Sequence, residues 1–243
     1  MEITRDSIIG DLVSDNYKSA DVFNNHKIDF CCQGNRSLQD AATEAKIEVD
    51  NLISELKEIQ NEPSGDHIDY RQWPMDLIVD YIEKKHHRYV EKQIPVIKPM
   101  LEKITQVHGG QHPELHRIKE LFDKTAGEMT MHMKREELTL FPHIKRLVKA
   151  KESNQPFKRA AFGEVEKPIA KFMEEHEDDG LRFREINDLS KGYTLPEDAC
   201  NSYTVTYKWL QEFEQDLHRH IHIENNILFP SAIKLENELT PAE

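Results

Sequence analysis

Apolar residues recur at three- and four-residue spacing along almost the whole chain, the period of a helix with one buried face. The alternating Val/Ile/Thr pattern of strands is almost absent, so the sequence predicts an all-α protein. Short helices are expected over residues 6–17 and 19–26, from Ser37 onward, and over residues 47–59. Ser37 stands as an N-cap with Asp40 three residues on, a weakened capping box. Asn61-Glu62-Pro63-Ser64-Gly65-Asp66 is a cluster of helix breakers and the best domain boundary. Four long helical segments follow, at about residues 74–107, 113–150, 162–189 and 196–238, with bends expected near Pro95 and Pro99. Rods of ~30 residues are roughly 45 Å long. Four of them joined by short breaks make an antiparallel four-helix bundle. The expected organisation is a small helical domain at 1–62, a linker at 63–73 and the bundle at 74–243.

The bundle contains an internal repeat. His132-Met-Lys-Arg-Glu136 and His220-Ile-His-Ile-Glu224 are each followed by three residues and then Leu-Phe-Pro, so both read H-x-x-x-E-x-x-x-L-F-P. His87 precedes His132 by 45 residues and His176 precedes His220 by 44, so each half repeats a lone His followed by an H-x-x-x-E pair. Residues i and i+4 lie on one helix face. Leu210, Phe213, Leu217, His220, Glu224 and Ile227 form one apolar stripe, which puts His220 and Glu224 on the core seam. His218, His222 and Asn225 fall on another, polar face. Leu121, Thr125, Met129, His132, Glu136 and Leu140 form the corresponding stripe in the second rod. An unpaired ionised Glu on a core face is costly, and a cation removes that cost. Four imidazoles and two carboxylates suit two metal ions, each with two His, bridged by both Glu. Nitrogen and oxygen ligands without thiolate fit non-haem iron or manganese, and the His content leans to iron. His86 and His87 are adjacent and only one is expected to face inward. The stripes favour either, and the spacing to the other half selects His87. His26, His67, His112, His116 and His143 read as surface residues, and His108 as a solvated loop residue.

Composition narrows the function classes. The chain has 243 residues, 45 acidic against 32 basic, and a formal net charge of −13, which argues against nucleic acid or an anionic membrane as the main partner. No apolar run approaches the ~18 residues of a membrane span. Three cysteines and no visible secretory signal point to the reducing cytoplasm. Cys31 and Cys32 are adjacent, where a disulfide between them is strained, and cannot close a zinc site alone. A helix starting near Ser37 is expected to lower a thiol pKa there. Cys200 carries no assigned role.

The doubled motif, together with Asp29-Phe30-Cys31-Cys32-Gln33-Gly34 and Ser37-Leu38 in the N-terminal segment, resembles the di-iron proteins of iron–sulfur cluster repair, the repair of iron centres family. The resemblance covers nearly the whole chain. It implies a haemerythrin-like bundle with two iron ions bridged by oxo and carboxylate groups. His87 and His132 would hold one iron, His176 and His220 the other, and Glu136 and Glu224 would bridge. It also implies a role near the site for His108, and for Cys31 and Cys32 a pair that receives redox equivalents or contacts the protein under repair. Damaged iron–sulfur proteins would be the partners, nitric oxide or oxygen the small ligands, and a homodimer the assembly. Oxygen-carrying haemerythrins are similar in shape but have a further His four residues after the third. Here that position is Gly180, which leaves space for a small molecule to approach an open coordination position. The competing readings are a reversible oxygen or nitric oxide binder or sensor, a nitric oxide reductase, and a metal-free helical interaction protein.

Overall fold

The computed structural model describes residues 2–61, 68–154 and 157–240. Of the linker expected at 63–73 only residues 68–73 are described, and His67 and the break at Gln155-Pro156 lie outside the described residues. Everything described is helix, turn or loop, with only two isolated bridges. Four short helices form the N-terminal part: α1 (Ile9–Asp15), α2 (Ser19–Asn25), α3 (Leu38–Ala45) and α4 (Val49–Asn61). Ser37 caps α3 as expected, its Oγ accepting the Asp40 N–H at 3.1 Å.

The four rods follow. The first joins α5 (Met75–Tyr81), a π-helical segment (Ile82–His87) and α6 (Arg88–His108), and stays helical through Pro95 and Pro99. The second joins α7 (Glu114–Arg135), a π segment (Glu136–Leu140) and α8 (Phe141–Ser153). Asn154 ends it in the left-handed conformation that Asn tolerates. The third is α9 (Glu166–Leu189). The fourth joins α10 (Asn201–Ile223), a π segment (Glu224–Leu228) and α11 (Phe229–Leu239). No described helix is long and apolar enough to cross a membrane.

The periodicity does not reveal the π segments, which the structure places at the repeat. In each L-F-P copy the Phe N–H reaches back five residues, from Phe141 to the Glu136 carbonyl and from Phe229 to the Glu224 carbonyl. Pro142 and Pro230 have no N–H, and their rings crowd the carbonyl four residues back. A widened turn relieves that clash, and such turns re-aim the side chains they carry. The first-rod π segment has the same effect on His86 and His87. Both are fully buried, so the expectation that only one faces inward is corrected.

The core has two apolar clusters, with the buried His and Glu side chains along the rods between them. One joins Phe23, Phe30, Leu38 and Leu52 of the N-terminal helices to Leu101, Phe122, Phe183 and Phe213 of the bundle. The other joins Ile78, Phe141, Ile169 and Phe229. The N-terminal helices therefore share a core with the bundle, and the polar face expected at His218, His222 and Asn225 lies against them. Asn226 wedges between Gly10 and Gly34, where an added Cβ would lie 2.7 and 2.5 Å from its Oδ1. Its Nδ2 donates to the Cys31 carbonyl at 3.1 Å and to His222 Nδ1 at 3.1 Å. His222 Nε2 lies 3.3 Å from Ser14 Oγ. Burial, with Arg219 and Arg71 nearby, lowers His222 to about 3, so it stays neutral in this joint. His143 is corrected as well. It is buried, not a surface residue, and donates to Glu236 at 2.8 Å, while Glu236 also accepts the Val165 N–H.

Glu214 marks the rim of the same joint. It is buried against Asn187, whose Nδ2 donates at 3.1 Å, and beside Tyr193. Burial raises its carboxyl to about 7. The folded chain thus holds this proton more tightly than the unfolded one, whose carboxyl titrates near ~4.3. The associated stability is complete below that value and is lost as pH rises through about 7. Glu214→Gln is therefore expected to match the parent in thermal melts at pH 5 and to melt higher at pH 8. Parallel curves at both pH values would contradict this.

Candidate metal centre

His87, His132, His176 and His220 come from the four rods, and Glu136 and Glu224 from the π segments of the second and fourth rods; all six are buried. His87 Nε2 lies 3.4 Å and His132 Nε2 3.3 Å from Glu136 Oε2. His176 Nε2 lies 3.3 Å from Glu224 Oε2, and His220 Nε2 3.1 Å from Glu224 Oε1. The ligand atoms fall into two groups: His87, Glu136, His220 and Glu224, and His132, Glu136, His176 and Glu224. Both carboxylates belong to both groups. The imidazole pairing is across the halves, His87 with His220 and His132 with His176. The pairing implied by the resemblance, His87 with His132 and His176 with His220, is corrected. The first rod packs against the fourth as well as the second, and the third against the second.

The donor set fits two cations. Both oxygens of Glu136 and of Glu224, and the Nε2 atoms of His87 and His220, are buried with no hydrogen-bond partner among the described residues. Leaving so many buried acceptors unsatisfied would cost several kcal/mol. His132 Nε2 and His176 Nε2 face each other at 3.0 Å. A six-coordinate ion with ~2.1 Å metal–nitrogen bonds sets neighbouring nitrogens about 3.0 Å apart. Three of the imidazoles are oriented from behind. The Nδ1 of His132 donates to Glu175 at 2.8 Å, that of His87 to Glu137 at 3.1 Å and that of His176 to Asn225 at 2.8 Å. Such partners fix the tautomer and turn Nε2 inward. Glu137, Glu175 and Asn225 each adjoin a ligand in the sequence, the one local signal that points to them.

Charge balance agrees with this fit. Burial opposes a charged His132, yet the Glu136 carboxylate outweighs it and carries the imidazole up to about 10. Burial and Glu224 push Glu136 up, and the His132 and His87 imidazoles bring it below its ordinary value. Burial likewise opposes an ionised Glu224, which His220 and His176 hold well below the usual carboxylate range. In the absence of cations the site must keep protons to balance its carboxylates, and cation entry expels them. A cavity of about 240 Å³ reaches His132 beside Glu128, Arg135, Glu175 and Asp179.

Other candidate residues lie elsewhere. His86 Nδ1 bonds Asp216 at 3.0 Å and its ring stacks on His220 at 5.6 Å. His108 is at the other end of α6, ~30 Å from His87 by helix rise, so its expected place near the site is corrected. It lies 3.3 Å from Cys200 Sγ, beside Asp198 and the Tyr203 ring. Gly180 does not open a path for a small molecule. The Cys32 thiol fills that space, 3.3 Å from where a Cβ would stand. Cys32 Sγ also lies 3.4 Å from the His176 carbonyl oxygen. The thiol-lowering effect expected near Ser37 does not reach Cys31. Its hydrogen bond with Cys32, followed by burial, raises the thiol well above its ordinary value. Cys200, exposed at the N-cap of α10, is lowered by the Tyr203 backbone N–H and then by His108. Brief iodoacetamide treatment at pH 8 is expected to label Cys200 well before Cys31, read by peptide mass mapping; Cys31 labelling first would contradict it.

Comparison with known proteins agrees with this architecture. Residues 5–60 match the ScdA_N family, described as a domain of unknown function (DUF542), and residues 79–232 match the hemerythrin HHE cation binding domain. The chain is 28% identical over 228 residues to the iron-sulfur cluster repair protein ScdA of Staphylococcus epidermidis, covering 93% of this chain and 98% of that protein. It is 32% identical over 219 residues to the iron-sulfur cluster repair protein YtfE of Yersinia pseudotuberculosis, covering 90% and 93%. An N-terminal DUF542 segment, an HHE domain and relatives matched nearly end to end agree: the chain belongs to the iron–sulfur cluster repair family of haemerythrin-like proteins.

Proposed function

We propose that this chain binds two iron ions and repairs iron–sulfur clusters damaged by oxidative or nitrosative stress, by donating iron or by meeting nitric oxide at the same centre. The observation that carries the reading is the sharing of Glu136 and Glu224 between two four-residue groups. The relatives named above are iron-sulfur cluster repair proteins, which supports the repair reading. His87 and His220 would hold one ion, His132 and His176 the other, with Glu136 and Glu224 between them. When bound, the ions supply a reservoir of ferrous iron and one-electron exchange. The chain's own part is to orient and to exclude water. Glu175, Glu137 and Asn225 fix three imidazoles, and all six ligands are buried. Arg135 holds Glu175 at 2.7 Å at that mouth. Buried Asp179 pairs with Arg182 there, so the mouth offers both charges to a small polar species. Damaged iron–sulfur proteins are the proposed partners, in the reducing cytoplasm, with a homodimer as the assembly.

The test mixes the reduced, iron-loaded chain with a cluster enzyme inactivated by nitric oxide. Recovery above that given by an equal amount of free ferrous iron is expected, and recovery no greater than that removes the repair reading. The cavity at His132 also favours a second reading, reversible binding of a diatomic ligand without repair. A nitric oxide adduct that forms and dissociates over repeated cycles, with no enzyme recovery, would establish it instead.

A further inference from the structure

Outside the His/Glu centre, one other described set of side chains converges closely enough to hold a metal ion: Asp29, Cys31 and Cys32. The two Sγ atoms lie 3.7 Å apart. A tetrahedral ion with ~2.3 Å metal–sulfur bonds sets its sulfurs about 3.8 Å apart. Asp29 Oδ1 lies 3.4 Å from Cys31 Sγ, against about 3.5 Å for a sulfur and an oxygen on the same tetrahedron. Asp29 is held in place, since its Oδ1 also accepts the Cys31 and Cys32 backbone N–H groups at 3.1 and 2.9 Å. The spacing that strains a disulfide between neighbours suits a shared ion.

The location gives this set a use. On one side Cys32 Sγ lies 3.4 Å from the carbonyl oxygen of His176, a residue of the His/Glu centre. On the other side Asp29 and Cys31 line a cleft of about 440 Å³ between the N-terminal helices and the bundle, with Asn24, Gln211 and Gln215 on its walls. Arg184 donates to Asp29 Oδ2 at 2.6 Å and places a positive charge beside the set. That charge weakens cation binding, as transit needs and storage does not.

We propose that Asp29, Cys31 and Cys32 form a second, transient site for a divalent transition cation, between the His/Glu centre and the interdomain cleft. The cation bonds to both sulfurs and to Asp29 Oδ1, and the two thiol protons leave to solvent; no electron moves. The fourth position stays open to water or to a ligand atom from an acceptor seated in the cleft. The site itself is independent of the proposed function, and only ferrous iron as its natural cargo rests on that reading.

Cobalt(II) is the probe. The full chain with Cys200→Ser, loaded with iron and kept reduced, is titrated with Co²⁺ without air. A thiolate-to-cobalt charge-transfer band saturating at a single equivalent is expected. Cys31→Ser/Cys32→Ser in that background is expected to lose the band while keeping the parent's iron content. Asp29→Asn is expected to weaken Co²⁺ by about tenfold or more. Arg184→Gln is expected to tighten it, a direction that loss of packing does not produce. Absence of the band in the parent, its survival in the double Ser variant, or weaker Co²⁺ binding in Arg184→Gln overturns the site. For the transit role, the double Ser variant is expected to release ferrous iron to a soluble chelator more slowly. An unchanged release rate overturns transit. A low iron content in the parent counts against the proposed function, and the Co²⁺ band still decides the thiol site.

Discussion

Glu136→Ala is expected to purify with less than half of the parent's iron after growth with iron supplied, and to melt roughly 10 °C lower. Glu136 belongs to both four-residue groups, so its loss removes an oxygen ligand from each. It also leaves the Nε2 atoms of His87 and His132 without the carboxylate that faces them at 3.4 and 3.3 Å. His132→Ala is the informative contrast. It touches one group only, and is expected to leave about half of the metal, held by His87, His220 and the two carboxylates. His86→Ala is expected to keep the full metal content, since His86 bonds Asp216 and lies outside both groups. Metal analysis and thermal melts read all three. Parent-like iron in Glu136→Ala would end the shared-carboxylate reading.

Gly34→Val is expected to free the N-terminal helices from the bundle and to lower stability by roughly 3 kcal/mol, the scale of an overpacked core. At Gly34 a Cβ would stand 2.5 Å from Asn226 Oδ1 and 2.5 Å from the Phe30 carbonyl oxygen. The second is backbone and cannot swing aside. The N-terminal helices share their apolar core with the bundle, so displacing the Gly34 turn exposes Phe30 and the Cys31–Cys32 pair together. Limited proteolysis is expected to cut the variant within residues 62–73 far faster than the parent. Equal cutting rates and an unchanged melt would contradict the tight joint at Asn226.

The rods and the six converging residues were legible because their signals are local and repeated. The three-four stripe fixes which face is buried, and H-x-x-x-E places both groups of a pair on that face. The pairing of imidazoles was not legible. It depends on which rods touch, and spacing along the chain only counts residues between them. The burial of His86 beside His87 does not follow from a three-four stripe, which requires a constant turn, because the π segment over Ile82–His87 changes that turn. His143 looked exposed because its partner, Glu236, is 93 residues away on another rod. His218, His222 and Asn225 read as a polar face because nothing local says that a second domain covers it. Gly180 was read as room for a ligand, and the room is taken by Cys32.

The wide turns at Glu136 and Glu224 have a consequence for length changes. Each holds one residue more than a regular coil would use over the same rise. Deleting a single residue just after Glu136, for instance Thr139, would let the backbone close into an ordinary spiral with a better bonded ladder. The stretch from Phe141 onward would keep nearly its phase, whereas closing the coil with every residue retained would swing it by about 100° about the axis. A regular coil with no residue removed would thereby carry Phe141, Ile144 and Leu147 out of the interior, so the wide turn is what keeps the two ends of the rod in phase at this length.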